Sequence, residues 1–118
     1  MPTCYYLPSC KTCQRVLATL EPLRDDWTLR DIKAEPLSVT EVDHLAQLAG
    51  SYEALFSRRA QLYRQRNLKE QALTEDDYRR LILEHYTFLS RPVVEVAGEV
   101  FVGSSKKAVE GAAQVLSL

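Results

Sequence analysis

Apolar residues along this chain alternate in two rhythms, and the change of rhythm outlines the fold. The first apolar run, Thr3-Cys4-Tyr5-Tyr6-Leu7, is aromatic and β-branched and stops at Pro8-Ser9, which predicts a strand closed by a turn. Val16, Leu17, Leu20 and Leu23 then recur at helical spacing, with Arg15, Thr19 and Glu21 on the other side, so an amphipathic helix is expected from 11 to about 23. Trp27 to Ile32 alternates apolar and polar like a half-buried strand, which makes the first thirty-odd residues a β-α-β unit with parallel strands.

The middle of the chain reads as helical. Ser38-Val39-Thr40-Glu41 has the S-x-x-E form of a capping box, opening a helix with Val42, Leu45, Ala46, Leu48 and Ala49 on its apolar side and Gly50 as its stop. Tyr52, Leu55, Phe56, Leu62 and Tyr63 predict a further helical stripe, and Thr74 opens another helix carrying Tyr78, Leu81, Ile82 and His85. Tyr52, Tyr63 and Phe88 are expected to fill the core. After Pro92, Val93–Ala97 and Val100–Gly103 form two short strands joined by a two-residue turn at Gly98-Glu99, and Ser104 or Ser105 caps a last helix through Leu116. The order is β-α-β, helices, β-β-α. It predicts an α/β fold of thioredoxin-like type: one domain over 1–118, a mixed four-stranded sheet with helices, and a helical insert at about 38–86 between the two halves.

Composition narrows the function classes. With 118 residues, 46% hydrophobic and 26% charged, the chain has the make-up of an ordinary globular domain. Fifteen basic residues balance 16 acidic ones to a net charge of -1, so no global field draws it to nucleic acid or anionic lipid, and direct DNA binding is not expected. No apolar run approaches a membrane span, and the N-terminus has no signal-peptide pattern; a cytoplasmic, monomeric protein is expected. Three cysteines cannot all pair with one another, and a reducing compartment disfavours a structural disulfide framework.

That leaves the chemistry of LPSCKTCQRV. Cys10 falls at or just before the first turn of the first helix, where unsatisfied N–H groups and the macrodipole favour an anion such as a thiolate. Cysteines in such places drop from a pKa of about 8.5 to between about 3.5 and 7.5. Cys13 lies one turn further on the same face, within disulfide reach, and is the natural resolving thiol. A zinc site would need four ligands, and only Cys4 and the separate His44 and His85 remain to complete one. Two inert packed cysteines are the other alternative. Cys4, on the first strand, reads as a core residue, and the two histidines as structural or surface groups.

LPSCKTCQRV, AEPLSVTEV, FSRRAQLYRQRNL, LSRPVVEV and FVGSSKKAVE, in this order, resemble the arsenate reductase and Spx family. The resemblance implies a thioredoxin-like fold, a nucleophilic Cys10, a cis-proline at Arg91-Pro92 and oxyanion-binding arginines at Arg59 and Arg91. It implies no bound cofactor, a small oxyanion or a thiol/disulfide as substrate, and glutathione, glutaredoxin or thioredoxin as electron donor. The physical pattern favours Arg59 over Arg58: on a helix Arg59 would stand amid Leu55, Phe56, Leu62 and Tyr63, whereas Arg58 would lie on the solvated face. Two features depart from the arsenate reductase pattern. A further arginine expected after the glycine ending the last strand is replaced by Ser104 and Ser105, and Cys13 completes a C-x-x-C that belongs to Spx-type redox switches. Two functions follow from the resemblance: a thiol oxidoreductase in which Cys10 attacks and Cys13 or glutathione resolves, or an Spx-like regulator docking on the RNA polymerase alpha C-terminal domain.

Overall fold

A computed structural model describes residues 2–118. The chain divides into two compact units: the first 35 residues with Arg91–Leu118, and Pro36–Ser90.

The first unit is built on a four-stranded sheet in the order β2-β1-β3-β4, from β1 (Thr3–Tyr6), β2 (Thr28–Asp31), β3 (Val93–Val96) and β4 (Glu99–Val102). β1 runs parallel to β2 and antiparallel to β3, and β3 and β4 form an antiparallel hairpin. Two helices, α1 (Lys11–Leu20) and α5 (Lys106–Leu116), pack on one face of this sheet. Alternation along the strands decides which face: Cys4, Val94 and Val96 are buried with Val16 and Leu20 of α1 and Ala112 and Leu116 of α5. The arrangement is thioredoxin-like, as the order of elements predicts. At Gly111 of α5 an added Cβ would lie 2.9 Å from the Phe101 ring, so the missing side chain is what lets this helix sit so close to β4.

The hairpin turn differs from the expectation by one residue. Ala97 and Gly98 occupy it, with φ of 53° and 76°, and Glu99 is already in β4, opposite Val96. A two-residue turn that follows the strand twist needs positive φ at both central positions. Placing it at Gly98-Glu99 would pair Phe101 with Val96 instead of Val94 and would ask Glu99, rather than a glycine, to take positive φ.

The second unit holds α2 (Val39–Ala49), α3 (Gln61–Gln65) and α4 (Glu75–Glu84). Both expected N-termini are closed by reciprocal caps: Ser38 Oγ accepts the Glu41 N–H at 3.1 Å while Glu41 accepts the Ser38 N–H at 2.9 Å, and Thr74 and Asp77 do the same for α4. Gly50 ends α2 at φ 100°. His85 lies outside α4 with extended backbone, and its Nδ1 accepts the Thr87 N–H at 3.0 Å.

The stripe over 52–63 is not one helix. A single 3-10 turn, Glu53–Leu55, is followed by extended Phe56, which bridges to Leu89, and α3 starts only at Gln61. The cause is an aromatic cluster. Phe56 stacks on Phe88 at 5.5 Å between ring centres and meets Tyr78 and Tyr63 at 4.8 and 5.9 Å, while Ser57 N–H donates to the Phe88 carbonyl and Ser90 N–H to that of Leu55. Burying this ring against Phe88 needs the chain extended there, so helical spacing at 55, 56, 62 and 63 comes from two separate pieces. Phe88 is fully buried, whereas Tyr52 and Tyr63 are only half-buried, the former with its hydroxyl donating to Asp43.

Candidate functional site: a two-thiol centre at the start of α1

β1 ends at Tyr6, and the chain turns through exposed Pro8 and Ser9 into α1. Two bonds hold this turn: the Cys10 N–H donates to the Leu7 carbonyl at 3.0 Å, and the Gln14 side-chain amide reaches back to the Pro8 carbonyl at 2.8 Å. Gln14 is a part of the site that the sequence reading missed. Its position four residues after Cys10 on the same helix is the signal that could have found it.

Cys10 is the N-cap residue of α1, with extended backbone and a partly exposed thiol. No acidic side chain lies in the first turn, so the positive end of the helix is left to the sulfur. Partial burial favours its neutral form. The amide of Cys13, the Cys13 thiol, the amide of Thr12 and the charge of Arg91 outweigh it and hold the Cys10 pKa below the ordinary cysteine value. The amides act as a cradle around the sulfur rather than as a closed capping bond, for no side-chain cap hydrogen bond forms at Cys10.

Cys13, one turn on, is fully buried. Burial pushes its thiol up to about 11; a backbone bond from Leu7 works against that, and the neighbouring Cys10 sulfur adds to it. The two opposite shifts share one cause: a side-chain hydrogen bond between two adjacent, unjoined sulfurs, which lowers Cys10 and raises Cys13. Cys4 is the third thiol. It is fully buried in β1, and burial, followed by the charges of Cys13 and Glu21, pushes it up to about 12. It is a core residue with no access to solvent.

Arg91 precedes Pro92 across a cis peptide bond. Its charge favours the thiolate at both Cys10 and Cys13, and its Nε is buried. Cys10, Cys13 and Arg91 therefore come together. Arg59 belongs to the other unit and lies exposed in the turn before α3, outside any helix. The contrast with Arg58 is also corrected: Arg58 is not merely solvated but bonds Glu53 and the Tyr78 hydroxyl, with its guanidinium 5.7 Å from the Tyr78 ring centre. After Gly103, Ser105 takes the role of N-cap, its Oγ accepting the Ala108 N–H at 3.1 Å. Among the described residues no group of three His, Cys, Asp or Glu side chains could hold a metal ion, and no helix is long and apolar enough to cross a membrane.

A family model for the ArsC family matches residues 5–112. The global transcriptional regulator Spx of Bacillus subtilis (strain 168) is 30% identical over 95 residues, 80% of this chain and 72% of Spx. Among solved structures, an arsenate reductase from Vibrio cholerae superposes with a TM-score of 0.79 at 23% identity, covering 97% of this chain and 96% of that one. An arsenate reductase (ArsC) related protein from Brucella melitensis superposes with a TM-score of 0.71 at 25% identity, covering 93% and 92%.

Proposed function

Because the chain belongs to the ArsC family, we propose that it is a thiol oxidoreductase whose nucleophile is Cys10 and whose resolving thiol is Cys13. One observation carries this reading: a partly exposed sulfur whose pKa is lowered lies against a buried sulfur whose pKa is raised. The Cys10 thiolate attacks one sulfur of a substrate disulfide, expelling the other as a thiolate and leaving a mixed disulfide. Cys13 then gives up its proton and attacks the Cys10 sulfur, so the second substrate thiol leaves and a Cys10-Cys13 disulfide remains. The substrate is reduced by two electrons and the protein is oxidised by two. Glutathione, glutaredoxin or thioredoxin would return those electrons. If the substrate is an oxyanion instead, the Cys10 sulfur bonds its central atom while one of its oxygens takes a proton and leaves as water, and Arg91, beside the thiol, is the cation that holds it. The serines at 104 and 105 leave that oxyanion site one bidentate donor short of the family pattern.

The likeness to Spx, together with Cys13, favours a second reading: a redox-sensing regulator that binds the RNA polymerase alpha C-terminal domain and uses the same pair as its switch. Two assays on one preparation separate them. Turnover of arsenate or of a small disulfide with glutathione and glutaredoxin, lost in Cys10→Ser, supports the enzyme. Capture by the alpha C-terminal domain that changes on oxidation, without turnover, supports the regulator.

A further inference from the structure

The two edges of the sheet are finished differently. β2, at one edge, is blunted: two of its four residues are Arg30 and Asp31, and the chain folds back on itself just beyond. There the Glu35 N–H donates to the Asp31 carbonyl at 2.8 Å, Arg30 Nε donates to the Glu35 carbonyl at 2.9 Å, and Asp31 Oδ1 accepts from the amides of Lys33 and Ala34. Charges and local turns of this kind keep an edge from pairing.

β4, at the other edge, carries only one charge, Glu99 at its first residue. From Val100 to Ser105 the chain reads Val-Phe-Val-Gly-Ser-Ser, six residues without a charge. The register shows which amides face outward. Gly103 N–H donates to the Pro92 carbonyl at 2.8 Å, so 92 and 103 are a hydrogen-bonded pair, and by alternation so are Val94 with Phe101 and Val96 with Glu99. Val100 and Val102 therefore turn their N–H and C=O away from β3, and among the described residues no other strand pairs with them.

We propose that this edge pairs antiparallel with β4 of a second copy of the chain, joining two sheets into one of eight strands. The edge is complementary to itself. With Val100 bonded to Val102 of the second copy, and Val102 to its Val100, four main-chain hydrogen bonds form and the two Phe101 residues stand opposite each other. All three cross-strand pairs are then apolar. The charges fit as well. Exposed Glu99 falls opposite Gly103 of the second copy, beside the start of its α5, where Lys106 and Lys107 are exposed. A parallel arrangement would instead set Glu99 beside Glu99.

Sedimentation equilibrium under reducing conditions tests this, from about 1 μM to about 1 mM protein. The wild-type chain should shift from monomer to dimer across that range. Val102→Pro removes an outward N–H without touching the β3 ladder and should weaken the dimer at least about tenfold. Glu99→Lys should weaken it too, and Glu99→Lys combined with Lys106→Glu and Lys107→Glu should restore it, which holds the test open should the proline variant fail to fold. A wild-type chain that stays monomeric throughout, a folded Val102→Pro variant that dimerises like wild type, or a Glu99→Lys variant with undiminished dimerisation would each overturn the proposal.

Discussion

Raising the pH should destabilise the fold through Cys4. In the unfolded chain Cys4 ionises around its ordinary value of 9.0, whereas in the folded protein burial holds it as a thiol up to about 12. The sign follows from proton counting. Below 9.0 both states keep the proton and Cys4 contributes no pH dependence. Between 9.0 and about 12 the unfolded state binds fewer protons, so stability falls as pH rises. At about pH 11 the unfolded thiol is two units past its midpoint, and at about 1.4 kcal/mol per unit the loss from this residue is about 3 kcal/mol. With a urea slope of about 2 kcal/mol/M, that lowers the unfolding midpoint by roughly 1.5 M. Urea titrations at about pH 7 and about pH 11 on wild type and Cys4→Ala isolate the effect, because tyrosines and lysines titrate in both proteins. The alanine variant should start lower, by about 1–2 kcal/mol for the cavity at a fully buried site, and then lose about 3 kcal/mol less than wild type on going to high pH. Equal losses in the two proteins would refute the reasoning and place Cys4 within reach of water.

Three further outcomes are expected. Iodoacetamide at about pH 6.5 should label Cys10 well before Cys13 or Cys4, as peptide mass mapping would show, and Arg91→Met should slow that labelling by raising the Cys10 pKa; first labelling at Cys13 would reverse the two roles. Gly111→Ala should destabilise in spite of about 1 kcal/mol of better helix propensity, because its Cβ meets the Phe101 ring at 2.9 Å, and calorimetry should find the same substitution stabilising in a Phe101→Leu background. Arg58→Ala should cost about 1 kcal/mol or less in chemical denaturation by releasing Glu53 and Tyr78, while Arg59→Ala, in an exposed turn, should leave stability unchanged; the reverse order would contradict the placement of the two arginines.

What could be read from the sequence was whatever is settled within a few neighbouring residues. The boxes at Ser38 and Thr74 are visible because a short side chain and its partner three residues on close the helix end themselves. Cys10 is legible for the same reason, since its environment is the first turn of its own helix. Arg59 was misplaced because its surroundings are decided at long range: Phe56 stacks on Phe88 and bridges to Leu89, more than thirty positions away, and that pairing breaks the helix its spacing suggests. The hairpin turn was placed one residue late because either Ala97-Gly98 or Gly98-Glu99 offers a glycine; both keep Phe101 on the same face, and they differ in whether it pairs with Val94, as it does, or with Val96. That Cys13 feels Cys4 is likewise invisible in sequence, for it depends on α1 lying over β1.

The central claim is that Cys10 attacks and Cys13 resolves, and trapping the intermediate tests it most directly. Treated with one equivalent of a small aromatic disulfide, the wild-type chain should release two aryl thiols and yield a Cys10-Cys13 disulfide, with Cys4 left as a thiol. Cys13→Ser should release one and stop as a mixed disulfide on Cys10, located by peptide mapping, and Cys10→Ser should release none at a comparable rate. A mixed disulfide found on Cys13, or a wild-type bridge that includes Cys4, would contradict the account.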